Sequence, residues 1–237
     1  MKQKPVHPAM QPFLEGKVIL INKPLHWTSF DAVKKIRIAT QVAKVGHAGT
    51  LDPLATGLLI ICTGKFTKNI LTYMGMPKTY IATMTIGAQT PTYDLESEPG
   101  FFQDYSHITQ EKIVAVFKNF TGEIMQVPPI HSAIKKDGEK AYIKARKGID
   151  IKLEPRKITI FSLEILSINL PEISFEVVCS TGTYIRSLVH DMGIALGTGA
   201  YLSKLCRTRI GTFTIDESCT PIEFEERIHR LKKASEG

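Results

Sequence analysis

The chain has 237 residues, 43% hydrophobic and 22% charged, an ordinary globular composition on a length that buries a sizeable core. Its four cysteines (Cys62, Cys179, Cys206 and Cys219) are far apart, with no CxxC pair or clustered histidines, which argues against a zinc site or a disulfide framework and suits a reducing compartment. The net charge of +7 points instead to a polyanionic partner, and apolar runs as short as LLIIC exclude a bilayer span.

Residues 1–16 form a polar, proline-rich N-terminal segment with no apolar signal core, so the expected location is the cytoplasm. KVILINKP then reads as a buried strand ended by Pro24. TSFDAVKKIR follows as a helix start, with Thr28 and Asp31 spaced as a capping box. YIATMTIG places Tyr80, Ala82, Met84 and Ile86 on one face of a half-buried strand. TQEKIVAVFKNFTG puts Ile113, Val116, Phe117 and Phe120 on one helical face, with Gly122 suited to the helix end. EISFEVVCS alternates as a strand and turns through Gly182 into TYIRSLVHDMGIALG, whose Ile185, Leu188, Val189, Met192 and Leu196 keep helical spacing. RTRIGTFTI reads as one further strand, and TPIEFEERIHRLKK begins with Thr220, Pro221 and Glu223, a well-formed helix start. Strands and helices mix without a βαβ rhythm. The expected class is α+β, with a mixed, mostly antiparallel central sheet flanked by helices.

From His131 to Lys157 there are nine Lys/Arg against four Asp/Glu, a local excess of five. Such a strip is either a solvated face or a track for nucleic acid. A second unusual stretch is KVGHAGTLDPLATG, which sets one carboxylate, Asp52, in a stiff turn before Pro53. It lacks the lysine and hydroxyl of a phosphate-binding Walker loop, and the neighbouring carboxylates that would hold magnesium are missing too. Asp52 is thus either a turn-former or a lone catalytic group. Arg186 sits in the first turn of a helix, where the partial positive charge adds to its own and attracts a carboxylate from elsewhere; the alternative is a surface arginine paired with Asp191 or Glu176. Tyr80 and His47 are each open to a packing reading or a site reading.

Taken together, these segments resemble the TruB family of pseudouridine synthases over most of the chain. GHAGTLDPLATGLLIICTGKFTK is similar to the family's aspartate motif, and ILINKPLHWTSFDAV to its first motif. KTYIATMTIGAQTPTYD resembles the tyrosine strand, VPPIHSAIKKDGEKAYIKARKG the substrate-binding segment, and STGTYIRSLVHDMGIALGTGAYLSKLCRTRIG the arginine motif. The resemblance implies the pseudouridine synthase fold over 17–237 as a single catalytic domain, and isomerisation of uridine 55 in the T-loop of tRNA. It implies that Asp52 is catalytic, that Tyr80 packs on the target base and that Arg186 pairs with Asp52. Leu205 would line the pocket, and His47 would fill the space left when the uridine turns out. Lys23 and Pro24 match the Lys-Pro pair that supports the site, and Asp94 a polar position near bound RNA. Tyr184 beside Arg186 is assigned to substrate binding, and Lys135, Lys136, Lys144, Arg146 and Lys147 to phosphates.

Two departures stand out: the chain stops short of the C-terminal PUA domain that many bacterial members carry, so that domain is expected to be absent, and His131 stands where relatives often have tyrosine. The chemistry implied needs no metal and no small-molecule cofactor, and the chain is expected to act as a monomer on the tRNA T-arm. Two other functions compete: a non-catalytic tRNA-binding and folding protein, and a synthase acting on another RNA hairpin.

Overall fold

The computed structural model describes residues 7–132, 135–136, 139–140 and 153–236. In chain order, helix α1 (Gln11–Glu15) follows a 3-10 turn at Pro8–Met10. Strand β1 (Val18–Lys23), helix α2 (Ser29–Thr40), β2 (Val45–His47) and β3 (Ala55–Thr63) come next. After them lie α3 (Ile70–Gly75), β4 (Lys78–Ile86), α4 (Gln110–Asn119) and β5 (Gly122–Gln126). The short strands β6 (Lys135–Lys136) and β7 (Glu139–Lys140) precede β8 (Arg156–Asn169) and β9 (Glu172–Cys179). The chain closes with α5 (Ile185–Leu196), β10 (Ala200–Ile210), β11 (Phe213–Thr214) and α6 (Pro221–Ala234). Helices flank strands whose pairings are mostly antiparallel, with single parallel bridges at Ile21–Cys219 and Asp94–Leu202. The chain divides into two compact units, Met1–Lys78 with Cys206–Gly237, and Thr79–Leu205.

In the first unit β3 is central, with β1 along one edge and β2 along the other. Leu59 and Ile61 face a core built with Ile19, Ile21, Val33 and Ile36 and closed by Phe224 and Ile228 of α6. Leu58, Ile60 and Cys62 face a second core with Ala48 and Ile210, against which Ile70 and Tyr73 pack. Burial on both faces explains why LLIIC is apolar without alternation. The α2 start carries the capping box expected from Thr28 and Asp31, and α6 carries its own from Thr220 and Glu223. The Lys35–Glu225 ion pair at 2.6 Å links α2 to α6, and Lys232 donates to the Ala39 carbonyl near the end of α2 at 2.8 Å.

In the second unit the strands run in the order β10–β4–β9–β8–β5. Ile173, Phe175, Val177 and Cys179 of β9 are fully buried, as their alternation predicts. The Phe175 ring meets Phe117 of α4 edge-on at 5.5 Å. On β4 the expected face is buried, but Thr79 and Thr83 are buried as well, so the strand is more than half covered.

Two sequence readings change. The α4 helix ends at Asn119 and is capped by Phe120, whose N–H reaches the Phe117 and Lys118 carbonyls, and Gly122 (φ +100°) instead opens β5. RTRIGTFTI is the end of the longer β10, a turn through Gly211 (φ +55°), and β11 paired back on it. Within the polar N-terminal segment, Met10 is buried in the first core.

Candidate active site

Asp52 is half-buried, in a turn closed by an Ala55 N–H bond to its carbonyl at 3.0 Å. Both neighbours are fastened to α2 and the loop before it. The Ser29 hydroxyl accepts the Leu51 N–H at 2.8 Å and donates to the Leu51 carbonyl at 3.2 Å. The Pro53 carbonyl accepts the His26 N–H at 2.8 Å and lies 3.5 Å from the Lys23 ammonium. Lys23, the last residue of β1, is 0% exposed. Its other protons go to the Trp27 carbonyl at 2.6 Å and the half-buried Pro24 carbonyl at 3.0 Å, so all three ammonium donors have acceptors. Burial lowers its pKa to about 8; the Asp52 carboxylate opposes the shift and the Arg207 guanidinium adds to it.

Arg207 is a site residue that the sequence does not mark. It is 1% exposed and donates from Nε to the Leu58 carbonyl at 2.8 Å and from Nη2 to the Gly49 carbonyl at 3.1 Å, so it braces both ends of the segment that carries Asp52. Gly57 (φ +103°) lies against the same residue: a Cβ there would come within 2.3 Å of the Arg207 carbonyl oxygen. Half-buried His47 ends β2 just before this segment. Burial lowers its pKa, the Gly49 backbone opposes this, and Arg207 adds to it, so the imidazole is neutral at pH 7. The first unit therefore gathers Lys23, His47, Asp52 and Arg207 around one loop.

The second unit holds Arg186 in the first turn of α5. It is buried, which corrects the surface alternative. Its Nη2 donates to the His131 carbonyl at 2.9 Å and Nη1 to the Thr92 carbonyl at 3.3 Å, while Nε lies 3.6 Å from the Asp94 carboxylate. Asp94, expected near RNA, is itself buried, and its other oxygen accepts the Glu96 N–H at 3.0 Å. Tyr184 is the residue preceding the helix; the Gln126 side-chain amide holds its N–H at 2.8 Å and its carbonyl at 3.1 Å. One turn of α5 thus fixes the segment from Gln126 to His131, with the Ser187 hydroxyl donating to the Val127 carbonyl at 2.8 Å. Tyr80 is buried on β4, and Leu205 is half-buried on β10. The side chains of Lys135 and Lys136, and all of Lys144, Arg146 and Lys147, lie outside the described residues.

Ser29, Gln126 and Arg207 carry no local signal that marks them: each acts on a backbone group distant in sequence. Among the described residues no group of three or more His, Cys, Asp or Glu is placed to hold a metal, and no helix is long and apolar enough to cross a membrane.

A mixed sheet of this kind is shared by chains of solved structures. A Cbf5–Nop10–Gar1 complex contains a chain that superposes with a TM-score of 0.76 at 31% identity, covering 96% of this chain and 59% of that one. An H/ACA RNP bound to a substrate RNA containing 2'-deoxyuridine gives 0.72 at 28% identity, covering 97% and 60%. This chain therefore spans about three fifths of those neighbours. Residues 37–185 match the TruB family pseudouridylate synthase N-terminal domain, and 186–236 the tRNA pseudouridylate synthase B C-terminal domain. A tRNA pseudouridine synthase B of Flavobacterium johnsoniae is 52% identical over 223 residues, 91% of this chain and 97% of its own length. One from Bacteroides fragilis is 49% identical over 222 residues, 91% and 95%. The chain belongs to the TruB family of pseudouridine synthases.

Proposed function

We propose that this chain converts uridine 55 in the T-loop of tRNA to pseudouridine, with residues 17–237 acting as one catalytic domain on the T-arm, as a cytoplasmic monomer and without a cofactor. The reaction breaks the N1–C1′ bond, turns the base and joins C5 to C1′; the C5 proton leaves to solvent and N1 takes one up, so redox state is unchanged. Asp52 is the group that acts at the sugar. Holding a reactive group in place supplies roughly 7–11 kcal/mol of the barrier. The observation that carries the proposal is the fastening of Leu51 and Pro53, on either side of Asp52, by the Ser29 hydroxyl, the His26 N–H and the Lys23 ammonium. The names of the relatives, tRNA pseudouridine synthase B, supply the substrate class.

The target base must leave its stack, at a cost of a few kcal/mol. Stacking on the Tyr80 ring returns about 1–3 kcal/mol, and His47 filling the vacancy returns more. Burial beneath a base opposes ionisation of Asp52, and the Arg186 guanidinium offsets that. Lys135 and Arg146 contact phosphates, so that affinity falls as salt rises.

A T-arm transcript tritiated at C5 of its uridines tests the reading. The wild-type chain releases tritium and Asp52→Asn does not; no release from the wild type overturns it. Release with pseudouridine mapped away from position 55 overturns the site alone.

A further inference from the structure

We infer that Tyr93 and His190 form a positioning pair that holds the Thr92–Asp94 turn against Arg186. This rests on the reading of Arg186 as the cation serving the catalytic aspartate. The two rings lie face to face, with centroids 3.9 Å apart and planes 14° from parallel. Tyr93 stands between the two residues whose backbone carbonyl and side-chain carboxylate hold the Arg186 guanidinium. His190 follows Arg186 by four residues on α5, so the two project from one face of the helix, a turn apart. The turn is therefore fastened to that face twice, by an ion pair and by a ring stack.

The backbone gives a second, independent sign. Tyr93 has φ +64°, a left-handed conformation that bulky side chains avoid. Such a residue persists only where its surroundings over-determine it. Here its N–H donates to the Thr90 carbonyl at 3.1 Å, and its carbonyl accepts the Leu202 N–H at 2.9 Å. A glycine at this position would meet the backbone requirement without strain; a tyrosine adds a ring that reaches His190. Burial lowers the His190 pKa and raises that of Tyr93, the latter helped by the Asp191 carboxylate, so the stack is between neutral rings near pH 7.

The test compares tritium release, as kcat and KM, across full-length variants. Tyr93→Asn keeps a residue that accepts left-handed backbone but removes the ring. His190→Ala removes the other half, whereas Tyr93→Phe and His190→Phe keep an aromatic face. The expected result is a kcat about three- to tenfold lower for Tyr93→Asn and His190→Ala, the scale of one lost ring pair. KM stays within about twofold, because the substrate contacts are untouched. The double variant falls no further than the worse single, as a coupled pair requires. The two Phe variants retain wild-type kcat, which also separates positioning from loss of folding. Unchanged kcat in both ring-deleting variants, a change confined to KM, or Tyr93→Phe as slow as Tyr93→Asn overturns the inference. Arg186→Lys is the control: full turnover there overturns the role of Arg186 itself, whereas a slow Arg186→Lys beside fast ring-deleting variants overturns only the positioning pair.

Discussion

Replacing Ser29 by alanine removes one oxygen, yet the structure makes it a test of how the Asp52 turn is set. The Ser29 hydroxyl holds both the N–H and the carbonyl of Leu51, and both residues are buried, so water does not take its place. Leaving a buried polar group without a partner costs about 1–3 kcal/mol. Two such groups, partly relieved by local shifts, give about 2–3 kcal/mol. For a chain of this size that lowers Tm by about 4–12 °C. Leu51 precedes Asp52 directly, so a shift of this turn also moves the carboxylate, and a misplacement of about 1 Å costs on the order of a hundredfold in rate. Tritium release measured well below the lowered Tm separates the two effects: kcat falls by about ten- to a hundredfold while KM changes little. A variant with unchanged Tm and turnover refutes the claim that Ser29 sets the turn. A variant that melts early but keeps its kcat refutes the link from turn to chemistry.

Gly57→Ala places a Cβ within 2.3 Å of the Arg207 carbonyl oxygen at a φ of +103°, so clash and strain combine. The expected stability loss by calorimetry is about 2–5 kcal/mol; a melt within a degree or two of wild type contradicts the close approach. Lys23 has a folded pKa of about 8 against an ordinary 10.5, so folding disfavours its charged form. The penalty is full below pH 8 and fades as pH rises toward 10.5, leaving wild type about 2 kcal/mol better off relative to Lys23→Met at pH 9.5 than at pH 7. Urea midpoints at the two pH values check this, and an equal difference at both removes the buried ammonium from the account. Gln126→Leu removes the side-chain acceptor of the Tyr184 N–H and leaves the Tyr184 carbonyl its Leu188 N–H at 3.0 Å, so the urea midpoint falls by the equivalent of about 1–3 kcal/mol. An unchanged midpoint shows that the α5 start is held by other means.

The parts of the fold legible in the sequence are those governed by near neighbours. Thr28 caps α2 because Asp31 lies three residues on, and Thr220 caps α6 with Glu223 at the same spacing. The alternation from Ile173 to Cys179 maps directly onto buried positions of β9. Strand β3 carries no strand signature in the sequence because both its faces are covered, which erases the period of two. Gly122 suits the end of a helix by its position, but its positive φ serves equally to start the following strand. Asp52 stood out in the site because a lone carboxylate in a glycine-rich, proline-stiffened turn is unusual. Its supports did not, since Ser29 meets Leu51 across 22 residues and Arg207 meets Leu58 across 149. Nothing in RTRIG distinguishes Arg207, which is buried, from Arg209, which is exposed.

The distance between Arg207 and the loop it braces has a consequence for biogenesis. The unit that carries Asp52 is assembled from Met1–Lys78 and Cys206–Gly237, with 127 residues intervening. On the ribosome the aspartate loop is made well before its guanidinium prop, since Arg207 follows Leu58 by 149 residues. Until then the carbonyls of Gly49 and Leu58 have no Arg207 to bind. A nascent chain ending before Cys206 therefore carries every residue of the aspartate motif without the arginine that braces it.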